Sequence, residues 1–482
     1  MDIPLSVIRI QGFHVTPPIL LEIRTCQLQQ NKPLNPDLSK GTTTAMDRGV
    51  LLCATIIISS TLFFVAIGGG MLAHAVCAML VFFFFVAFVQ ESWRRKKAAA
   101  SVDRCRSVVD FSFFGDSLSQ EERLALRSNN NQRLVRAFGI HNSLTTYDVS
   151  HHRYFLSAAR GLVSKKNGWH ALYAHCDANI RDIVAGHSPY WRRRGQDEAP
   201  RIRILLAPLV RHICFRGALK ALFDGSATMD LSDDDVQVIT ADINMLWVES
   251  KDPAARPNST RLRELLGRAS LLSISSGKRA EMKTAEEALG IIIPAYETLW
   301  RVVLLTYVHA YHRSPDHDHI SQITSSVPDC LGEGTSEEQS ALRLAKEGLR
   351  LYPSTKRIYR ATSIPGDDPS SAAPVSADVE LCHRHPEIWG ADALQFRPER
   401  FDQLTEMQKK AYFPFGLPKH QCPAQSGFGE RLVTLLVVTL ARALPPPGRS
   451  RVLFHGDGVL DADKMAPLPT GRKDMDDWVV LV

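Results

Sequence analysis

The longest hydrophobic pattern in the chain is an uncharged run near its N-terminus, residues 49–89. As one helix it would measure about 60 Å at ~1.5 Å per residue, twice the ~30 Å hydrocarbon core of a bilayer. Three consecutive glycines, residues 68–70, divide it into segments 50–67 and 71–89, each close to spanning length. The pattern predicts a membrane anchor over residues 47–92, either a two-helix hairpin or one spanning helix with an interfacial remainder.

Four consecutive basic residues, 94–97, follow this run. Basic residues beside a spanning segment stay on the cytoplasmic side of the membrane. We therefore expect the chain that follows them to face the cytosol in either topology. Residues 1–46 are polar up to Met46, which opens a sequence typical of an anchor start. We interpret them as an extension that precedes a true translation start at Met46.

The rest of the chain has mainly helical periodicity, with apolar residues recurring every three or four positions. Ser119 and Glu122 have the spacing of an N-terminal capping box ahead of a helical run to Phe138. Further helices are predicted over residues 151–163, 169–184, 202–223, 233–248 and 261–272. Short strands are predicted at residues 356–362, 377–381 and 451–454, with a turn-rich loop over 365–378. Residues 98–482 are thus expected to form a mainly α domain with small β-sheets.

A long apolar stretch over residues 286–313 predicts a buried helix. Because Pro294 has no N–H, the carbonyl of Gly290 loses its helical partner, and the helix is expected to bend there. Glu297 and Thr298 follow the bend. Taken alone, Thr298 would bond within its own helix and Glu297 would be a solvated charge.

The composition, 45% hydrophobic and 22% charged over 482 residues, suits a large core in one or two domains. The nine cysteines show no C-x-x-C pair and no zinc-like spacing, which indicates that the eight other than Cys422 are ordinary thiols in a reducing compartment. The net charge of +6 is modest. It argues against nucleic-acid binding, whereas a basic patch would be enough to receive an acidic redox partner.

One short loop, FPFGLPKHQCPA, carries the strongest chemical signal. It presents Cys422 just before a helical run, with Pro423 at the first helical position. Unpaired amides at a helix start favour a thiolate, which is a strong ligand for iron. Gly416 would let the backbone approach a flat cofactor, Phe415 would add a ring, and His420 a hydrogen-bond donor. A single such cysteine is more often a small buried hydrophobe, so other motifs must decide.

Three charged residues upstream of the loop supply those motifs. Glu347 and Arg350 are three positions apart on a predicted helix and can pair, and a later P-E-R-F segment contains Arg400. With these residues the chain resembles the cytochrome P-450 family of haem-thiolate enzymes. It departs from the family's loop signature at Pro418 and Ala424, where glycines are usual.

The resemblance implies a cytochrome P-450-like fold and a role for each motif. Cys422 would be the ligand of the haem iron, in a loop whose cofactor-binding residues include Phe415, Gly416 and His420. Glu347, Arg350 and Arg400 would form a buried charge triad beneath that loop. Arg357 would contact a haem propionate. Glu297 and Thr298 would form an acid–alcohol pair that delivers protons.

The resemblance also implies a monooxygenase that inserts one atom of O₂ into a lipophilic small molecule. Its cofactor would be haem b, with electrons from NADPH through a reductase, at the endoplasmic reticulum membrane. Resemblance to short, anchor-bearing fungal members of the family suggests a role in secondary metabolism. Two alternatives stay open: a haem-thiolate isomerase or dehydratase that needs no reductase, and a degenerate, haem-free membrane-anchored protein. The second is motivated by Pro418 and by a shortened region between the anchor and the central helix. No clear W-x-x-x-R pattern for a second propionate contact is visible in the chain.

Overall fold

The computed structural model describes residues 70–114, 118–164, 168–185, 192–194, 202–223, 231–268, 285–362, 374–454, 458–462, 464, 468–471 and 475–481. The chain divides into two units, Met1–Val89 and Gln90–Val482. The first half of the predicted hairpin, residues 50–67, and most of the predicted loop over 365–378 lie outside the described residues. The hairpin and the start at Met46 stay predictions.

Helix α1, Met71–Asp110, contains the second half of the predicted anchor. Its segment from Ala75 is apolar and long enough to cross a membrane, with a mean hydropathy of 2.0 and no buried residue in its most apolar window. From Ala98 onward one face of the helix is buried, through Val102 and Cys105. The boundary that the sequence predicted between anchor and globular domain, residues 92–98, therefore lies inside one continuous helix.

The remaining helices and strands form a mainly α fold with two small sheets, as predicted. The helices are α2 (Gln120–Asn129), α3 (Gln132–Phe138), α4 (Val149–Val163), α5 (Trp169–Ala185), α6 (Leu206–Phe223), α7 (Asp233–Glu249), α8 (Thr260–Arg268), α9 (Ala285–Tyr296), α10 (Leu299–Tyr307), α11 (His317–Ile323), α12 (Val327–Cys330), α13 (Ser336–Leu351), α14 (Val379–Arg384), α15 (Pro386–Trp389), α16 (Glu406–Ala411), α17 (Phe428–Ala443) and α18 (Gly458–Ala462). A π-helical turn, Val308–Arg313, extends α10.

Both sheets are antiparallel. The strands are β1 (Arg192–Arg194), β2 (Ile202–Leu205), β3 (Arg357–Arg360), β4 (Val375–Asp378), β5 (Arg451–Phe454) and β6 (Trp478–Leu481). They pair in the order β1-β2-β6-β5 and β3-β4. The helix predicted over 202–223 is wrong at its start, because residues 202–205 form β2, which pairs with β6 instead.

The capping box at the start of α2 is confirmed. The Ser119 hydroxyl accepts from the Glu122 N–H at 3.1 Å, and the Glu122 carboxylate accepts from the Ser119 N–H at 2.7 Å. The predicted single run to Phe138 is wrong, because it is broken into α2 and α3 at three consecutive asparagines, residues 129–131. Asparagine amides bond to nearby backbone groups and so disfavour a helix interior, as when Asn131 donates to the Arg127 carbonyl.

The core is built around α10, which packs against α6, α13 and α17. Its buried side chains include Trp300 and Tyr307. Helix α13 comes close at Gly348, where an added Cβ would lie 2.0 Å from the Thr306 hydroxyl oxygen. Only a residue without a side chain fits there. This close packing fixes the position of Glu347 and Arg350 on the same helix.

Candidate functional site

The loop that carries Cys422 is closed by its own backbone. Gly416 has φ +78°, in the left-handed region that favours glycine. The Gly416 N–H donates to the Phe413 carbonyl and the His420 N–H to the Leu417 carbonyl, both at 3.0 Å. The Cys422 N–H donates to the Phe415 carbonyl at 2.9 Å, and the Cys422 carbonyl accepts from the Gln425 N–H at 3.1 Å. Pro418, which has no N–H, begins a 3₁₀ turn and so leaves no donor unused. The departure from the family signature at Pro418 is thus compatible with a closed loop.

The Phe415 ring of the loop packs against Gly429 of helix α17. A Cβ added to Gly429 would lie 2.7 Å from Cε1 of Phe415 and 3.3 Å from the Ala424 carbonyl oxygen. Helix α17 begins only at Phe428, and residues 423–425 form a short 3₁₀ turn. The expectation that Pro423 opens the long helix is therefore wrong.

The Cys422 thiol is exposed on one side and desolvated by protein on the others. Desolvation raises its pKa, while the Ala424 N–H and the charge of Arg127 lower it. The Ala424 N–H favours the thiolate, as expected for an amide at a helix start, but desolvation outweighs these two influences. A thiolate at this position needs a stronger positive partner, such as a metal ion.

Basic side chains from three other elements gather beside the loop. Arg127 on α2 lies 3.5 Å from Nδ1 of His420, measured from its Nη1. Arg360 on β3 is buried and donates to the carbonyls of Tyr359 and Val109. The His152 ring on α4 lies 6.3 Å from that of His420.

This basic group is costly to bury. Desolvation lowers the pKa of Arg127 to about 10 and that of Arg360 to about 9. Desolvation and then the neighbouring charges of Arg127 and Arg360 lower the pKa of His420 to about 2. Within the described part of the chain, no carboxylate forms an ion pair with the basic group, and Nε2 of His420 has no hydrogen-bond partner. Such a group fits a ligand that brings its own carboxylates.

Arg357, the predicted propionate contact, lies elsewhere. Its side chain is 60% exposed and its Nε donates to Asp378 at 3.0 Å. Successive residues of a strand face opposite sides, and Arg357 and Arg360 are an odd number of positions apart, so they cannot share a face. The role of Arg357 stays a prediction, and the structure places Arg360 rather than Arg357 beside His420. Sequence reasoning also missed Arg127.

The structure brings together the three residues of the predicted triad. Glu347 and Arg350 are fully buried, and two nitrogens of Arg350 donate to the two carboxylate oxygens at 2.7 Å each. Arg400 donates to the same carboxylate at 3.0 Å. The remaining Nη1 of Arg350 donates to the carbonyls of His383 and Ala393. These contacts are what a buried charge needs to be tolerated.

The triad is linked to the Cys422 loop through His383. The carbonyl of His383 accepts from Arg350 at 2.8 Å, and its Nε2 accepts from the N–H of Phe413 at 3.1 Å. Burial lowers the pKa of His383 to about 3, so the ring is neutral and able to accept. The charged triad thereby fixes the start of the loop.

The bend in the central helix has the predicted chemistry. The Gly290 carbonyl, deprived of a donor by Pro294, accepts from the Asn142 amide at 2.8 Å. Helix α9 ends at Tyr296 and α10 begins at Leu299. The Thr298 hydroxyl donates to the Pro294 carbonyl at 2.9 Å, as expected for a threonine that bonds within its helix. Glu297 is fully buried, so it is not a solvated charge.

The family model for cytochrome P450 matches residues 343–440, the segment that contains the triad and the Cys422 loop. Over this segment the chain is similar to cytochromes P450. Among curated cytochromes P450, cytochrome P450 714A2 of Arabidopsis thaliana is 29% identical over 164 residues, 32% of this chain and 30% of that protein. Cytochrome P450 CYP72A616 of Paris polyphylla is 30% identical over 134 residues, 26% of this chain and 25% of that protein.

The matches to these and to six further curated relatives span only 16% to 30% of each relative's own length. The solved structure of CYP175A1 from Thermus thermophillus aligns with a TM-score of 0.43 at 18% identity, over 69% of this chain and 80% of that one. Similarity to cytochromes P450 implies haem iron. The residues fit it, since Cys422 offers a sulfur ligand and the basic group offers partners for two propionates.

Proposed function

We propose that this protein is a cytochrome P450, a haem-dependent monooxygenase that inserts one oxygen atom from O₂ into a lipophilic small molecule. The observation that carries the proposal is the exposed Cys422 thiol beside Arg127, Arg360 and His420, a basic group without a carboxylate partner among the described residues. Haem b has an iron that the Cys422 thiol could ligate and two carboxylates that the basic group could bind. When bound, it supplies the activation of O₂ with two electrons, and that chemistry is the cofactor's own.

The protein's contribution begins at the loop. Cys422 would ligate the iron, and the Ala424 N–H, which already interacts with the sulfur, would tune its electron donation. Arg127 and Arg360 would bind propionate oxygens by charge-assisted hydrogen bonds. The triad of Glu347, Arg350 and Arg400 would hold the loop in one shape rather than add stability.

A half-exposed stripe on α9 supports a lipophilic substrate. Ile291, Pro294, Ala295 and Thr298 are only partly buried, whereas the positions between them are buried. Their spacing of three and four residues puts them on one face of the helix, which is apolar except for Thr298. This face would line the substrate site.

Proton delivery would fall to the acid–alcohol pair. Because the Thr298 hydroxyl donates its proton to Pro294, its oxygen is left to accept a hydrogen bond from a ligand or water. Glu297, fully buried next to it, would be the proton source.

We also propose electron supply from NADPH through a reductase and anchoring at the endoplasmic reticulum with the enzyme in the cytosol. Support comes from the exposed apolar part of α1 and the basic residues 94–97 that follow it. Exposed Lys419, within the Cys422 loop, is suited to an acidic partner. A place in fungal secondary metabolism is proposed from resemblance to short, anchored members alone.

The test is the spectrum of reduced membranes containing the full chain, with and without carbon monoxide. We expect a strongly red-shifted Soret band, the mark of a thiolate ligand, and its loss in Cys422→Ala. Absence of the band from membrane-inserted, haem-supplied protein would falsify the proposal and favour the haem-free alternative. Hydroxylated products that require NADPH, reductase and O₂ would then establish the reaction class.

One observation favours a second candidate, a haem-thiolate isomerase or dehydratase. The hydrogen bond from Thr298 to Pro294 is the one expected of a threonine without a role in O₂ chemistry. Such an enzyme keeps the thiolate spectrum but needs no electrons. Turnover of a substrate in the absence of NADPH and reductase would support it over the monooxygenase.

A further inference from the structure

Three side chains of types that bind metal ions lie together at a cavity that the proposed function does not use. They are Asp316, His319 and Glu399, whose nitrogen and oxygen ligand atoms all lie within 4.8 Å of one another. The cavity that they line has a volume of about 400 Å³. Among the described residues, its lining includes none from the Cys422 loop. The three side chains are therefore a separate candidate site.

Two distant parts of the chain supply these side chains. Asp316 directly precedes α11, and His319 lies in the first turn of that helix, three positions later. The Asp316 carboxylate makes no capping hydrogen bond to the helix. Glu399 belongs to a 3₁₀ turn, Pro398–Asp402. The sequence therefore indicates the spacing of the first two residues but not the approach of the third.

The distances between the ligand atoms suit a metal ion. Nδ1 of His319 lies 3.5 Å from Oδ2 of Asp316 and 3.3 Å from Oε1 of Glu399. Charge-assisted hydrogen bonds from nitrogen to a carboxylate are shorter, about 2.7–2.9 Å. Ligand atoms that lie about 2.1 Å from a tetrahedral zinc ion are about 3.4 Å from one another. The two measured distances match two edges of such a tetrahedron.

The charges at the cavity also suit a cation. In the part of the chain that the structure describes, neither carboxylate pairs with a lysine or an arginine. Two arginines line the same cavity, but Arg313 donates to the Leu460 carbonyl at 2.9 Å and Arg397 to Asp392 at 2.6 Å. Two carboxylates so close together repel each other. A divalent cation between them would neutralise both.

We propose that Asp316, His319 and Glu399 bind a zinc ion. One imidazole nitrogen with two carboxylate oxygens suits Zn²⁺, whereas Ca²⁺ and Mg²⁺ prefer oxygen ligands alone. Three protein ligands leave the fourth position of the tetrahedron for a water molecule from the cavity. The proposal does not depend on haem, so the haem-free chain is also expected to bind zinc here.

The zinc ion would connect the start of α11 to the residue that precedes Arg400. Arg400 follows Glu399 in the 3₁₀ turn and donates to the carboxylate of Glu347 at 3.0 Å. The turn would then be held on one side by the charge triad and on the other by the metal. Zinc would thus restrict the motion of a segment that supports the Cys422 loop.

The experiment uses the full chain in detergent micelles, freed of metal and then titrated with zinc alone against a chromophoric zinc chelator. We expect the parent to bind one zinc ion that His319→Ala and Glu399→Gln do not. Each substitution should weaken this binding at least about a hundredfold, because losing even a residue that only orients a ligand costs about 10–100-fold. The matched control is His317→Ala, which removes an exposed histidine of the same helix, 3.2 Å from Asp318, and should bind zinc as the parent does.

Zinc K-edge X-ray absorption then identifies the ligands. The zinc that His319→Ala loses should be surrounded by nitrogen and oxygen at about 2.0–2.2 Å, without the sulfur at about 2.3 Å that a cysteine site would show. Unchanged zinc affinity in both ligand variants would overturn the proposal, as would a sulfur ligand on the zinc that is lost. Circular dichroism shows whether each variant keeps the fold. The unsubstituted chain gives an independent answer, since the absence of a zinc ion bound by nitrogen and oxygen alone would also overturn the proposal.

Discussion

The charged residues beneath the Cys422 loop pair with one another, whereas the basic residues beside the loop have no carboxylate partner among the described residues. Glu347, Arg350 and Arg400 satisfy one another with bonds of 2.7 to 3.0 Å. Arg127 and Arg360 form no ion pair with a described carboxylate, and desolvation lowers the pKa of both. In the proposed function, the first group holds the shape of the loop and the second binds the haem propionates. The two groups differ in charge balance although both lie next to the same loop.

The most severe change to the binding side is Cys422→Ala. It removes the sulfur ligand, and we expect complete loss of the thiolate spectrum and of bound haem. Cys330→Ala, a buried cysteine of α12, is the control and should keep both. A thiolate-type carbon monoxide spectrum in Cys422→Ala would transfer the ligand role to another cysteine.

The scaffold side is tested by Glu347→Gln. Two buried arginines then lose their carboxylate, and removing one partner of a buried ion pair costs about 3–5 kcal/mol. We expect a fall of that size in the free energy of unfolding, together with loss of the loop and of haem. The control is Glu406→Gln in the exposed pair with Lys409, for which at most about 1 kcal/mol is expected. Equal effects of the two substitutions would contradict a distinct scaffold.

The two strand arginines allow a sharper comparison. Arg360→Gln should weaken haem binding by about 1.5–3 kcal/mol, the value of a hydrogen bond to a charged group, or roughly tenfold to a hundredfold. Arg357→Gln removes only an exposed pair with Asp378 and should leave haem affinity unchanged. Haem titration of the two variants measures the difference. The reverse order of effects would restore Arg357 as the propionate contact.

The smallest expected effect is a dependence of stability on pH from two buried histidines, His309 of the central helix and His383 of the scaffold. Burial lowers the pKa of each to about 3, below the unfolded value near 6.5. The unfolded chain therefore binds more protons, and stability falls as pH drops below 6.5. From pH 7 to pH 6 each should cost about 0.7 kcal/mol. The measurement is the free energy of unfolding from denaturant titrations at several pH values. In His309→Phe and in His383→Gln this free energy should fall less between pH 7 and pH 6 than it does in the parent.

The pairing of Glu347 with Arg350 could be predicted from the sequence because it depends on local spacing. Glu347 and Arg350 are neighbours on one turn of helix, and Cys422 lies in a loop defined by a short run of letters. The binding residues depend on distant contacts. Arg127 has no local sequence signal, because its neighbour His420 lies 293 positions away. Arg360 was missed because the buried face of β3 is set by Phe111, whose ring lies 4.6 Å from its guanidinium.

The same distinction applies to the fold. Helices with long apolar periodicity, such as α7 and α17, were predictable because their pattern is local. The strand at residues 202–205 was not, because its partner β6 is at the other end of the chain.

The Asn142 amide, which replaces the donor that Pro294 lacks, gives a route to changing specificity. Asn142 is fully buried and bonds to a backbone carbonyl of α9, not to one of its side chains. Shortening or removing this side chain would alter the angle of the helix without replacing any of the half-exposed side chains of α9. Asn142 is therefore a control point through which substrate preference could be retuned by shape alone, with the chemistry of the cavity wall conserved.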